Sequence, residues 1–508
     1  MLEYTPDRRL TGGLRIAAHK GESTERPIKR GLQPARVMLS LHQHRGPAAD
    51  PAVSVGAHVR KGQVVATAKS LAGANVHASI SGTVGAIATQ RVPSFTSAAE
   101  ALCIVIDADG EPGENEAAGP EWPTDRVSQL MSLRDAGIVG LGGAVFPTAA
   151  KLGTVGACKV LIINGAECEP YISCDDMLMR EAADQIVAGA MTMCDLLEAG
   201  QCIIAVERDK PQAIDAVRKA AGAIGSERLR LAELPSIYPA GGERQLVEVL
   251  TGDEVPAGRY PSDIGYICQN VGTAFAVHRL ATFGEPLVTR IVTVTGRGVA
   301  GPRNVEAPIG TPIADLIAFC GGYTAAVRRL IHGGNMMGYA LPSDTMPITK
   351  ATNCIIAAAA EEVREDYTQW PCIRCGECGN ACPARLLPQD LLIAARSTDH
   401  DALDGWGLDE CIECGCCDIV CPSHIPLTQI FRQAKQEHEA YRRQLEFSAE
   451  SEERFRDHER RRRAEADAGK RQQEALKAAL KSNAAGKAAI QAAVERARRR
   501  QDGDGQAD

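Results

Sequence analysis

Two cysteine runs near the C-terminal end, CIRCGECGNACP at 372–383 and CIECGCCDIVCP at 411–422, carry the most specific chemistry in the sequence. Each contains C-x2-C-x2-C-x3-C-P, the spacing that holds a cubane iron–sulfur cluster. Three closely spaced thiolates wrap one cluster through a short loop, and the fourth, followed by Pro, reaches the neighbouring cluster. Cys372, Cys375, Cys378 and Cys421 are therefore expected on one [4Fe–4S] cluster, and Cys411, Cys414, Cys417 and Cys382 on the other. Cys416 is left over, because only Cys417 keeps the two-residue gap after Cys414. Structural zinc would use well-separated C-x2-C pairs and has no use for a third and fourth Cys with Pro. Disulfides need an oxidising compartment, and no secretory signal opens the sequence. The expected chemistry is one-electron transfer.

A second candidate is GIVGLGGAVFPTAAKL at 137–152. Gly140, Gly142 and Gly143 remove side chains where backbone N–H groups approach a phosphate or a flat ring, and Lys151 adds a positive charge. Taken alone, the segment reads equally as a tight structural turn, since it does not follow a strand in G-x-G-x-x-G order.

These residues need a scaffold, and 508 residues with 44% hydrophobic content supply roughly three to four domains. No apolar run approaches the roughly 20 residues of a membrane helix. The longest, 186–206, is broken by Asp195, Glu198 and Gly200 and reads as a helix followed by a strand. The net charge of −8 argues against nucleic-acid binding. Eighteen Cys point to a reducing cytoplasm, and those outside the two runs read as small buried hydrophobes.

Residues 1–115 read as mainly β, with VSVGAHVRKGQVVATAKS and VHASISGTVGAIAT as two strand–turn–strand pieces. His42 and His44 read as structural. Pro, Gly and acidic residues at 110–123 mark a linker. From 124 to 280 the pattern alternates as βαβαβ, hence a parallel sheet, with KVLIIN at 159–164 as a fully buried strand. Residues 286–340 turn β-rich again, 360–435 hold the cysteine runs, and 441–508 form a charged, Ala-rich tail that is helical or disordered. This tail either remains solvated or docks on an acidic subunit or an anionic membrane surface.

The N-terminal pieces resemble a lipoyl/biotinyl barrel-sandwich domain, with Lys69 near the hairpin that carries the modified lysine there; its ATAKS setting implies an unmodified structural barrel. Residues 286–340 look like a small β-grasp of the SLBB type. GLGGAVFPTAAKL, NGAECEP, YPAGGE and NVGT together resemble the flavin subunit of respiratory complex I. That resemblance implies non-covalent FMN, with Gly140, Gly142, Gly143 and Lys151 at its phosphate and ribityl side. It places Asn164, Glu167, Gly241, Glu243, Asn270 and Thr273 around the rest of the flavin, and Phe146 and Glu169 toward NADH. Ala166, Gly242 and Gly272 stand where that family has carboxylates.

The whole order, including TGGL, HASISGTV, NGAECEPYISCDD and the twin cysteine runs of a ferredoxin-like domain, is similar to the RnfC/RsxC family. These are the C subunits of the Rnf ion-translocating electron-transport complex. The resemblance covers about residues 10–435 and implies a peripheral subunit on the cytoplasmic face of the bacterial inner membrane. It implies NADH oxidation on FMN, electron transfer through two [4Fe–4S] clusters, partner subunits that move the ion, and ferredoxin or flavodoxin as distal partner. A soluble flavin/iron–sulfur reductase of the cobalamin-reductase type and a carrier subunit without a working flavin site are the alternatives.

Overall fold

Continuous apolar runs build the centre of the protein. In the computed structural model, strand Val160–Gly165 has Leu161, Ile162 and Ile163 fully buried, as a strand covered on both faces requires. The structure describes residues 2–4, 10–94, 97–110, 121–153, 158–363 and 368–501. Most of the expected linker at 110–123 and the last seven residues of the tail lie outside them.

The expected βαβαβ unit is present as Val160–Gly165, helix Cys174–Leu196, Gln201–Glu207, helix Pro211–Ile224 and Leu229–Leu234. The second helix starts on Pro211 and stops at left-handed Gly225, the favoured asymmetry of helix ends. Every pairing in this sheet is parallel, and Tyr266–Asn270 adds on the far side of Val160–Gly165. Strand Leu2–Tyr4 pairs with Leu229–Leu234 at the opposite edge, so the first residues join this sheet and not the barrel to which 1–115 was assigned.

Residues 36–108 form two antiparallel sheets, one ordered Arg36–Ser40, Ala98–Ala108, Gly82–Pro93, His58–Val59 and the other Asp50–Pro51, Val64–Thr67, Val76–His77. Lys69 is exposed and pairs with Asp50 at 3.0 Å. The β-grasp sheet runs Arg303–Pro308, Thr289–Thr295, Cys354–Ala359, Val327–His332, Tyr339–Leu341. Its central strand, Cys354–Ala359, is fully buried and lies beyond the expected limit of 340. It pairs in parallel with Thr289–Thr295, about sixty residues earlier, so no local pattern announces it.

From Leu427 to Gln501 the tail is one helix, carrying pairs such as Arg456–Glu452 and Arg463–Glu459. Gln433 onward forms a separate unit. No helix among the described residues is long and apolar enough to cross a membrane.

Lys350, 1% exposed, ties three domains together. Its Nζ donates to the carbonyls of Asn75 (3.1 Å) in the barrel and Gly137 (2.8 Å) before the glycine loop. Burial without a counter-charge lowers its pKa from 10.5 to about 7. Between those values the unfolded amine holds a proton that the folded one lacks, so stability rises with pH across that window. Lys350→Met leaves two carbonyls without a donor and should cost about 1–3 kcal/mol at pH 9. It should also flatten the rise in stability between pH 7 and pH 9; urea unfolding midpoints at the two pH values check both.

Candidate redox site

The sheet order places a crevice where the chain reverses direction. From Val160–Gly165 the next strands proceed to one side, while Tyr266–Asn270 lies on the other. Ligands in open α/β sheets bind at the carboxyl ends of the strands at such a switch point. Asn164 and Asn270, register partners on those two strands, stand at this edge.

The glycine loop is held there by three bonds. Gly140 N–H donates to the Phe146 carbonyl at 2.8 Å, closing the turn. Leu141 N–H donates to Thr273 Oγ1 at 2.9 Å, and the Leu141 carbonyl accepts from Arg290 Nη2 at 2.5 Å. Gly143 has φ +101°, and a side chain there would project into open space. Gly142 sits against Asn270, so a Cβ would come 3.3 Å from that side chain. Asn164 Nδ2 donates to the Gly241 carbonyl at 2.8 Å. Gly241 packs on Ala166 and Cys168, whose sulfur accepts its N–H at 3.4 Å. Phe146 is 40% exposed. A cradle of bare backbone, open above Gly143 and flanked by two Asn amides, fits a flat ring with a phosphate tail.

The structure thus gathers Gly140, Gly142, Gly143, Asn164, Gly241, Asn270 and Thr273. Lys151 pairs with Glu243 at 2.7 Å. Glu167 and Glu169 are engaged within the protein. Glu167 accepts from the N–H groups of Asp175 (2.7 Å) and Asp176 (3.2 Å), capping helix Cys174–Leu196, with Lys20 at 3.9 Å. Burial pushes its pKa up to about 7. Glu169 accepts from Met336 (2.8 Å) and Met337 (2.9 Å) N–H on the β-grasp, and burial raises its pKa.

The cysteine runs are structural copies, each Cys of the second standing 39 positions after its counterpart. Left-handed residues recur at the same offset, at Arg374 and Glu413, Gly376 and Gly415, Arg385 and His424. Each run turns into a short helix, Glu377–Ala381 or Cys416–Ile419. A cavity of about 360 Å³ is lined by five cysteines: Cys382, Cys411, Cys414 and Cys417, the set expected for one cluster, together with Cys416. The expected four thiols on one cavity, with Leu386 N–H directed at Cys382 Sγ (3.4 Å), fit a cubane cluster. For the other set, Ser423 Oγ bonds the Pro371 carbonyl and Trp370 N–H bonds the Ser423 carbonyl, both at 2.9 Å. These bonds bring the turn after Cys421 against the start of the first run. Cys372 and Cys375 are exposed. Cys416 is fully buried, at the position that Glu377 holds in the first run.

Tyr238, whose role the sequence did not reveal, joins the two parts. It leads the YPAGGE turn, and its hydroxyl donates to the Cys414 carbonyl at 2.6 Å. Leu14 and Tyr238 exchange backbone bonds, and Gly13 N–H reaches the Ala381 carbonyl at 3.0 Å. Arg244–Glu410 (2.7 Å) and Arg385–Glu254 (3.0 Å) bridge the same junction.

A strand-end crevice, a barrel-sandwich domain, a β-grasp and paired cysteine loops are the class-defining features of the chain. Three family models match: the Nuo51 FMN-binding domain over 133–279, the RnfC barrel sandwich hybrid domain over 8–111, and the SLBB domain over 291–340. A relative from Pseudomonas aeruginosa is 45% identical over 87% of this chain and 57% of its own length. Others from Pectobacterium carotovorum and Pectobacterium atrosepticum are each 41% identical over 96% of this chain, and 65% and 70% of their own lengths. All three bear the name of the C component of an ion-translocating oxidoreductase complex. The chain belongs to that family, RnfC, and spans 57% to 70% of the length of these relatives.

Cys416→Ser should leave about eight irons per chain, whereas Cys417→Ser or Cys382→Ser should remove about four. Iron analysis and EPR of anaerobically purified variants decide the assignment.

Proposed function

We propose that this chain is the electron-entry subunit of a membrane Rnf-type complex. In this reading it oxidises NADH on FMN and passes electrons through two [4Fe–4S] clusters toward ferredoxin or flavodoxin. Partner subunits move the ion, and the chain sits on the cytoplasmic face of the bacterial inner membrane. A bound flavin takes electrons as a hydride pair and releases them singly, which links a nicotinamide to one-electron centres.

The observation that carries the reading is the position of the cysteine-lined cavity, joined to the crevice through Tyr238. The chain's own groups divide the work. Bare backbone at Gly142 and Gly143 admits a phosphate and ring, while Asn164 fixes the Gly241 turn beside them. Leu14, Ala381, Cys416 and the Tyr238 ring pack together and exclude water between the two parts. The Cys382, Cys411, Cys414 and Cys417 set faces the crevice side. The set with exposed Cys372 and Cys375 faces an acceptor.

A carrier role without flavin is the second reading, because Glu167 and Glu169 both bond to the protein's own backbone. Anaerobic titration with NADH, following flavin absorbance and cluster EPR together, separates the two. Flavin bleaching followed by reduced-cluster signals is expected. Gly143→Val, strained at φ +101°, should lower FMN content at least about tenfold while dithionite still reduces the clusters. Clusters present but silent to NADH, with no flavin in the unaltered chain, would establish the carrier.

A further inference from the structure

The repeat of the cysteine runs at an offset of 39 positions extends past the last cysteine of each. Each run leads into a helix, one starting at Pro388 and the other at Leu427. The second helical residue is Gln389 in one copy and Thr428 in the other, as far apart as Cys378 and Cys417. In both copies its side chain lies at the third cysteine of the run. Cys378 Sγ donates to Gln389 Oε1 at 3.3 Å. Thr428 lines the cavity of Cys382, Cys411, Cys414 and Cys417, and a Cβ on Gly415 would come 3.9 Å from its Oγ1.

The Thr428 hydroxyl is buried and unused. The residue is 5% exposed, and its Oγ1 completes no hydrogen bond among the described residues, although it lies beside the Cys417 thiol and the Asp418 carboxylate. Asp418 Oδ1 accepts the Thr428 N–H at 2.9 Å and the Cys417 S–H at 3.7 Å. A buried hydroxyl without an acceptor is costly, so its place at this cavity calls for one.

Metal ligation would supply the acceptor. A metal-bound cysteine is a thiolate, which accepts hydrogen bonds and has no proton to give. Cys417 would cease to donate to Asp418, and its sulfur would become the acceptor that Thr428 lacks. Cys378 would likewise cease to donate to Gln389 Oε1. Turning the amide over presents Nε2–H to that sulfur, at the loss of a 3.4 Å bond to Asp390. Backbone N–H groups already point at sulfur in both sets, from Arg374 to Cys372 and from Leu386 to Cys382, each at 3.4 Å.

We propose, on the cluster assignment above, that Thr428 and Gln389 are equivalent sulfur-directed donors, each raising the reduction potential of the centre it faces. Reduction adds one negative charge to a centre, so a donor aimed at its sulfur stabilises the reduced form more than the oxidised one. The hydroxyl serves the set with Cys417, and the amide serves the set with Cys378.

Redox titration of the anaerobically purified chain, followed by EPR with iron analysis alongside, tests this. The unaltered chain should hold about eight irons. Thr428→Val removes the hydroxyl at nearly constant volume. It should make one centre about tenfold harder to reduce, a shift of about 59 mV for one electron, with iron content and the other centre unchanged. Thr428→Ser should restore the original midpoint, and Gln389→Leu should lower the midpoint of the other centre alone. Unchanged midpoints, loss of iron in Thr428→Val, or both substitutions moving the same centre would each overturn the proposal. Fewer than about eight irons in the unaltered chain would overturn the cluster assignment with it.

Discussion

A buried carboxylate, Glu167, organises the strand ends on which everything else is mounted. It occupies a left-handed conformation that non-glycine residues seldom adopt, and gains two helix N-terminal N–H groups by doing so. Those bonds fix the start of helix Cys174–Leu196 and hence Asp175. Asp175 then holds the Asn270 amide, and the Asn270 oxygen caps the next helix through Gly272 N–H. One turn on, Thr273 fixes Leu141 in the glycine loop. An ionised carboxylate in such a place is costly without partners, and Lys20, from the N-terminal segment, supplies the charge. The crevice is therefore shaped from beneath, by polar groups that need not touch a ligand themselves.

The cysteine loops attach to this scaffold by a different physics. Leu14, Tyr238, Ala381, Cys414 and Cys416 make a small apolar contact at the junction, with Arg–Glu pairs around it. Apolar packing removes water from the space between crevice and cavity, while the peripheral pairs are solvated and set orientation more than strength. Cys416 belongs to this contact, which explains a buried thiol outside the ligand spacing.

What could be read from the sequence was what is local. Cysteine spacing is a loop property, and the four residues it selects for one cluster line one cavity, with Cys416 beside them; apolar runs anticipated the parallel sheet. The glycine loop, Asn164 and Asn270 were likewise marked by short motifs. Three things were not legible. The carboxylates of Glu167 and Glu169 bond to backbone 8 to 168 residues away, and sequence does not give a side chain's direction. Strand Cys354–Ala359 depends on a partner about sixty residues earlier. Lys350 looks like a surface lysine until three domains close over it.

The exchange of the fourth cysteine has a consequence for how the protein matures. Cys382 lies in the first run yet lines the cavity of the second, so the three closely spaced cysteines of that run do not complete their own set. Under the proposed assignment each set draws thiols from both runs, so both runs must be folded against one another before either set is complete. The fold of the paired loops, and not the spacing within either run alone, decides when each set of thiols is ready.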